Sequence, residues 1–216
     1  MKKVLIIGGS GGLGRAIIKR LKHRANTVNV SREASGADRD IRVDLRKRGD
    51  VLRALGQLKK FDFDTIICCS GILHWHKTGT IPSDEIDADF AVNVTGPLKL
   101  IDGLVPQLRK NHGDLLIVGS TSSFVCYPDS AVYQAAKHGM LGYIKSLQAE
   151  LKKEDVRVIG FYPGGFDSGF HDKAKSPILK KDLMRTDDVA DLLLHVLSLP
   201  RSMQVSEMII DRKTIT

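Results

Sequence analysis

Cysteine is scarce in this chain: three residues in 216, with no Cys-x-x-Cys spacing. That excludes a disulfide framework and a thiolate zinc site. Cys68 and Cys69 are adjacent, and neighbours on a strand point to opposite faces, so they are not expected to pair. Free thiols fit a reducing cytoplasm, the expected location. Apolar runs are short as well, and none reaches the length of a membrane span. Met1, Lys2 and Lys3 ahead of Val4, Leu5, Ile6 and Ile7 look faintly like a signal peptide. The run breaks at Gly8 and Gly9, too soon for a signal core, so no signal is expected. A linker, an internal repeat and a low-complexity tract are also missing, so residues 1–216 are expected to form one domain with a substantial core. The net charge is +8, but the basic residues are dispersed and no nucleic-acid recognition motif accompanies them. The charge reads as a basic surface, with a preference for anionic ligands as the alternative.

What is present is an alternation. Strand-length apolar runs occur at residues 4–7, 27–30, 66–69, 115–118, 156–161 and 208–210, with a short edge strand near 41–43. Most are continuous rather than alternating, which suits strands buried on both faces of a parallel sheet. Between them lie helical stripes: Leu13, Ala16, Ile17 and Leu21; Val51, Leu52, Leu55 and Leu58; Ala136, Met140, Ile144, Leu147 and Leu151. Thr186 reads as an N-cap, with Asp187 and Asp188 in the first turn and Val189, Leu192, Leu193 and Val196 behind it. The alternation predicts a single-domain α/β fold with a doubly wound parallel sheet of about seven strands flanked by helices. The lysine-rich segment 164–186 is expected to leave the sheet as a loop beside the substrate.

The first strand runs into Gly8, Gly9, Ser10, Gly11, Gly12, Leu13 and Gly14, then a helix. Glycines there allow a tight turn and let a pyrophosphate approach the backbone, while the helix N-terminus offers free N–H groups. The order is Gly-x-x-x-Gly-x-Gly, not the commoner Gly-x-Gly-x-x-Gly dinucleotide fingerprint. In a Rossmann-type fold an acidic residue ending the second strand would hold the ribose 2′-hydroxyl; this chain has Ser31 and Arg32, which with Ser10 suit a 2′-phosphate. NADP(H) is therefore expected over NAD(H). Asp44, after the third strand, reads either as an acceptor for the adenine amino group or as a plain turn residue.

Tyr133 and Lys137 stand at i and i+4 on an expected helix and share a face. A tyrosine titrates near 10, and a neighbouring ammonium favours its phenolate. Ser120, thirteen residues before Tyr133, ends a strand and can face a cleft at the carboxyl edge of the sheet. Ser122 and Ser123 are rivals for its place.

With these motifs assembled, the chain resembles the short-chain dehydrogenase/reductase family over nearly its whole length, and the compact C-factor-like members in particular. The resemblance extends to Val92, Asn93, Val94, Thr95 and Gly96, which it puts on the fourth helix, and to the run from Tyr162 to Ser168. It implies that Tyr133 gives a proton to a carbonyl oxygen or takes one from an alcohol. Lys137 would lower the tyrosine pKa and bond the nicotinamide ribose, Ser120 would orient the carbonyl, and Asn93 would hold a water in a relay with Lys137. Cofactor contacts would also come from Leu45, Ser70, Gly71, Pro163, Gly164, Phe166 and Ser168, the last where the family usually has threonine. An NADP(H)-binding regulatory protein with incidental turnover is the alternative function. Two departures put the rigidity of the glycine turn in doubt: Ile7 where threonine is usual, and Cys68-Cys69-Ser70-Gly71 where many members have Asn-Asn-Ala-Gly. The chain is also short for the family, which predicts a more open pocket and puts the usual tetramer in doubt. Helices near 98–108 and 134–151 are expected to build a homodimer.

Three further features are weighed down. His74-Trp75-His76 has no carboxylate or cysteine close by in sequence, so no metal is expected there. Those residues read as a pocket rim or a solvated loop. Lys173, Lys175, Lys180, Lys181 and Arg185 read as a solvated face more readily than as an attractor of acidic substrates. His138 is given no role.

Overall fold

The computed structural model describes residues 1–178 and 180–213. Its strands are β1 (Lys3–Ile7), β2 (Asn26–Ser31), β3 (Arg39–Arg42), β4 (Thr65–Cys68), β5 (Asp114–Val118), β6 (Arg157–Pro163) and β7 (Glu207–Ile210). They form one parallel sheet in the order β3-β2-β1-β4-β5-β6-β7. The helices are α1 (Gly12–Leu21), α2 (Arg48–Leu58), α3 (Ser83–Phe90), α4 (Gly96–Asn111), α5 (Ala131–Leu151), α6 (Phe170–Ala174) and α7 (Thr186–Ser198). The doubly wound architecture expected from the alternation is the one observed. No described helix is long and apolar enough to cross a membrane.

Continuous apolar strands feed two cores because successive side chains leave opposite faces of the sheet. Leu5 and Ile7 join one core with residues of α2, α4 and α5, whereas Val4 and Ile6 join the other with α1 and α7. Cys68 and Cys69 divide the same way, one packed in each core, and both are free thiols. The winding changes direction between β1 and β4, so the connections part there and leave the strand C-termini uncovered.

Local readings needed correction in three places. Leu52 is 51% exposed, and Ala54 takes its place in the core. At 100° per residue, positions 51 and 52 cannot both face inward with 55 and 58. Thr186 is the first residue of α7, not its cap. Arg185 holds the cap position, and the Thr186 hydroxyl donates to the Asp167 carbonyl, tying the 164–186 segment to the helix. Asn93 lies not on a regular helix but on a π-helical turn, Ala91–Thr95, that joins α3 to α4 without a break. Such wide turns displace side chains from the regular helical register.

The sheet's lower edge carries a buried ion pair within a stretch read only as an apolar strand. Arg157 donates from Nε and Nη2 to both oxygens of Asp114, at 2.7 and 2.9 Å, and its remaining donors reach the Leu197 and Leu199 carbonyls at the end of α7. Arg201, half-exposed, also reaches Asp114 at 3.2 Å. Breaking such a pair leaves a buried charge without its partner. Arg157→Met is expected to destabilise the fold by about 3 kcal/mol, the low end of the usual range because Arg201 remains. Pairing it with Asp114→Leu should recover most of the loss in urea melts. A single variant as stable as the wild type would contradict this account.

Candidate active site

Above the β1–β4 divide lies a cleft of about 710 Å³. The residues expected to act in catalysis or to touch the cofactor all line it except Asn93, which is buried behind Gly71 and Ile72. Its amide pairs with the Ile72 backbone, accepting from the N–H at 3.2 Å and donating to the carbonyl at 3.0 Å. Ser122 lines the cleft with Ser120, whereas Ser123 is buried outside it.

The glycine turn is held firmly despite the two departures. Gly8 has φ +94, and a Cβ there would meet the Ser70 backbone nitrogen at 2.6 Å. Gly8 N–H donates to the Val30 carbonyl, Cys69 N–H to the Ile7 carbonyl, and Gly9 N–H to Asn29 Oδ1 at 2.8 Å. Asn29, fully buried on β2, thus anchors the turn that Ile7 and the two cysteines do not. Its Nδ2 donates to Ser31 Oγ and Asp40 Oδ1. A lone amide inside the run Thr27-Val28-Asn29-Val30 was the available signal. Gly11 at the N-cap of α1 has no capping side chain, so the first-turn N–H groups are free for an anion. These features fit a dinucleotide.

At the adenosine end, Arg32 is exposed and lines the cleft. The Ser31 hydroxyl is already committed, donating to the Glu33 carbonyl at 2.7 Å. The Arg46 guanidinium grips both Asp44 oxygens and, through those bonds, holds that carboxyl down at about 2.

At the other end, α5 presents Tyr133 and Lys137 to the cleft. Lys137 is 4% exposed, and its Nζ stands 3.5 Å from the Val118 carbonyl and 5.5 Å from the centre of the Tyr133 ring. Burial pushes the lysine down to about 8, against the opposing pull of Cys68 and Asp89. Burial pushes the Tyr133 phenol up to about 12; the Ser120 hydroxyl works the other way and Asp89 adds to the rise. The expected lowering by the ammonium is therefore not found in the protein without cofactor. The charge sits over the ring face, and desolvation of the phenolate dominates.

Segment 164–186 folds back over the cleft through α6 and a bridge between Phe166 and Met184; residue 179 lies outside the described residues. Phe170 packs on Tyr133, ring centres 5.9 Å apart. Of the basic cluster, only Lys173 lines the cleft. His138 is exposed. His74 and Trp75 form part of the wall, and the fold supplies carboxylates that sequence proximity did not disclose. His76 meets Glu85 and His74 meets Asp89. No group of three or more His, Cys, Asp or Glu side chains placed to hold a metal ion occurs among the described residues.

A family model, short chain dehydrogenase, matches residues 2–178, and the chain belongs to that family. Over 226 residues it is 28% identical to cis-2,3-dihydrobiphenyl-2,3-diol dehydrogenase of Pseudomonas putida, spanning 94% of this chain and 79% of that one. An uncharacterised oxidoreductase of Staphylococcus aureus is 26% identical over 95% of both chains. Among solved structures, a 3-ketoacyl-(acyl-carrier-protein) reductase from Brucella melitensis complexed with NADH superposes with a TM-score of 0.85 at 25% identity, covering 97% of this chain and 96% of the other. An alcohol dehydrogenase from Thermococcus sibiricus complexed with 5-hydroxy-NADP gives the same TM-score at 21% identity, over the same shares. The protein is thus an oxidoreductase of a nicotinamide-binding family.

Lys137 supplies a stability test. Unfolded, it keeps its proton to about 10.5; folded, only to about 8. The unfolded chain binds more protons between those values, so stability rises with pH across that window. Below it the buried ammonium costs about 3 kcal/mol. Lys137→Met is expected to be more stable than the wild type by about that amount at pH 7. The gain should vanish as pH approaches 10.5, the unfolded value. Urea melts at a series of pH values check this, and a variant no more stable at pH 7 would refute it.

Proposed function

We propose that the protein is an NADP(H)-dependent reductase of aldehydes or ketones, or the reverse alcohol dehydrogenase, working through Ser120, Tyr133, Lys137 and Asn93. The observation that carries the reading is the placement of Tyr133 and Lys137 on one face of α5, looking into the cleft whose far end is the glycine turn. A bound nicotinamide would supply or accept hydride. Gly8, Gly11, Gly12 and Gly14 would let the pyrophosphate lie against the first turn of α1, with Leu13 and Ser10 beside it. Arg32 would meet a 2′-phosphate, and Asp44 and Leu45 would flank the adenine. Ser70, Gly71, Pro163, Gly164, Phe166 and Ser168 would enclose the nicotinamide half.

Tyr133 would give its proton to the carbonyl oxygen as hydride arrives, with Ser120 aligning that oxygen. Its raised pKa suits a donor that keeps its proton until charge develops on the substrate. Lys137 would bond the ribose and, once a polar cofactor covers it, hold its proton more firmly and ease loss of the tyrosine proton. We read Asn93 as acting from behind the wall. The assembly this reading favours is a homodimer through α4 and α5. Gly139 and Gly142 leave a flat patch on α5, where an added Cβ would meet nothing within 4 Å. Light scattering at a monomer mass would discard that assembly.

Fluorescence titration is expected to give tighter binding of NADPH than NADH. Arg32→Glu should reverse the order by removing the charge that pairs with the 2′-phosphate. Equal or weaker NADPH binding by the wild type would overturn the preference and leave the oxidoreductase intact. Tyr133→Phe should lower kcat on a carbonyl panel at least 100-fold, roughly the contribution of a positioned acid, with cofactor affinity retained. Full turnover by this variant would remove Tyr133 from the chemistry.

A further inference from the structure

The loop after β4 and helix α3 bring together a cluster the proposed chemistry does not use. His76 Nε2 lies 2.6 Å from Glu85 Oε2. His74 Nδ1 lies 3.3 Å from Asp89 Oδ1 and 3.9 Å from Glu85 Oε2. His74 is 31% exposed and lines the cleft, yet its Nδ1 is sealed from solvent and makes no hydrogen bond, with Asp89 Oδ1 its neighbour at 3.3 Å. Asp89 is 1% exposed. A carboxylate so deeply buried calls for a partner. On one side it has His74; on the other, Asn93 one helical turn along, whose Nδ2 reaches Asp89 Oδ1 at 3.5 Å. Across Asn93 lies Lys137: a Cβ on Gly71 would stand 3.2 Å from Asn93 Oδ1 and 3.8 Å from Lys137 Nζ. The titratable groups facing Asp89 are His74 and, beyond it, His76 from the loop, Glu85 from α3, and Tyr133 and Lys137 from α5.

We propose that His74 and Asp89 are a proton port for the Tyr133–Lys137 pair, linking it to solvent past the side chain of Asn93. This rests on the reading of Tyr133 as the proton donor. After each reduction the Tyr133 O–H bond has broken and its proton is on the product alcohol. Lys137 returns a proton to the phenolate and becomes the neutral amine. Asp89, protonated, restores the ammonium through one water lodged at Asn93. His74 in its imidazolium form reprotonates Asp89 and takes a proton from solvent. One proton enters for each one delivered, and no electrons move along this path. Oxidation runs the same path outward. The protonation tendencies agree with it. Burial makes Asp89 hold its proton more strongly than an ordinary carboxyl and Lys137 hold its proton less strongly, so donor and acceptor are drawn together in affinity. His74 and Asp89 are positioning residues here, since neither is placed on the substrate.

The test combines kinetics with a titration that needs no cofactor. In weak buffer, Asp89→Asn and His74→Ala should each lower kcat roughly tenfold or more, with KM for the carbonyl unchanged. Added imidazole should restore His74→Ala but not Asp89→Asn. By NMR on the cofactor-free protein, the Asp89 carboxyl should hold its proton more strongly still in His74→Ala, because the neighbour that pulls it down is gone. Unchanged kcat in both variants, loss in His74→Ala without imidazole rescue, or an Asp89 titration unmoved by His74→Ala would each overturn the port. If Tyr133→Phe abolishes turnover while both port variants keep it, only the port fails. If Tyr133→Phe keeps turnover, the donor reading fails.

Discussion

A parallel sheet wound in both directions must have one place where its connections part. Here that place lies between β1 and β4, and the rest of the molecule is arranged around the opening. The glycine turn leaves β1 toward one side, while β4 runs into Ser70 and Gly71 on the other. Helix α5 lies against the far wall, and segment 164–186 folds across the top. At the opposite end of the sheet, Arg157 and Asp114 join the starts of β5 and β6. A buried ion pair thus ties two strands at the bottom of the sheet while polar groups at the top face a space large enough for a dinucleotide and a small substrate.

That opening brings ionisable groups into an apolar wall. Lys137, Tyr133 and Asp89 are all buried, and for each the largest influence on its proton is loss of water. The fold is accordingly less stable than an apolar version of the same wall would be. What it gains is a set of groups whose proton affinities are displaced from their ordinary values at one place, the usual signature of a functional site. A surface with the same residues would show no such displacement.

How much of this was legible depends on the range of each interaction. The sheet was readable because alternating cores need only local apolar content. Tyr133, Lys137 and the glycines were readable because helix spacing and turn chemistry act within a few residues. Asn29 was not seen, although a lone amide in an apolar strand marked it. Its bond to Gly9 crosses 20 positions. Asp89 gave even less sign, one acidic residue among several on α3, and its partner His74 lies in a different element. The resemblance implied a catalytic role for Asn93, but the π-turn that sets it behind the wall left no trace in the spacing.

Sequence alone therefore determined the class of fold, the glycine cradle and the pairing of Tyr133 with Lys137, because propensity, periodicity and turn chemistry are local. Tertiary structure decided which polar groups are shut away from water and which face one another across the cleft. It tied the cradle to Asn29, turned Asn93 away from the cleft and joined His74 to Asp89. Burial depends on every element packed around a group, and no short stretch of chain carries that information.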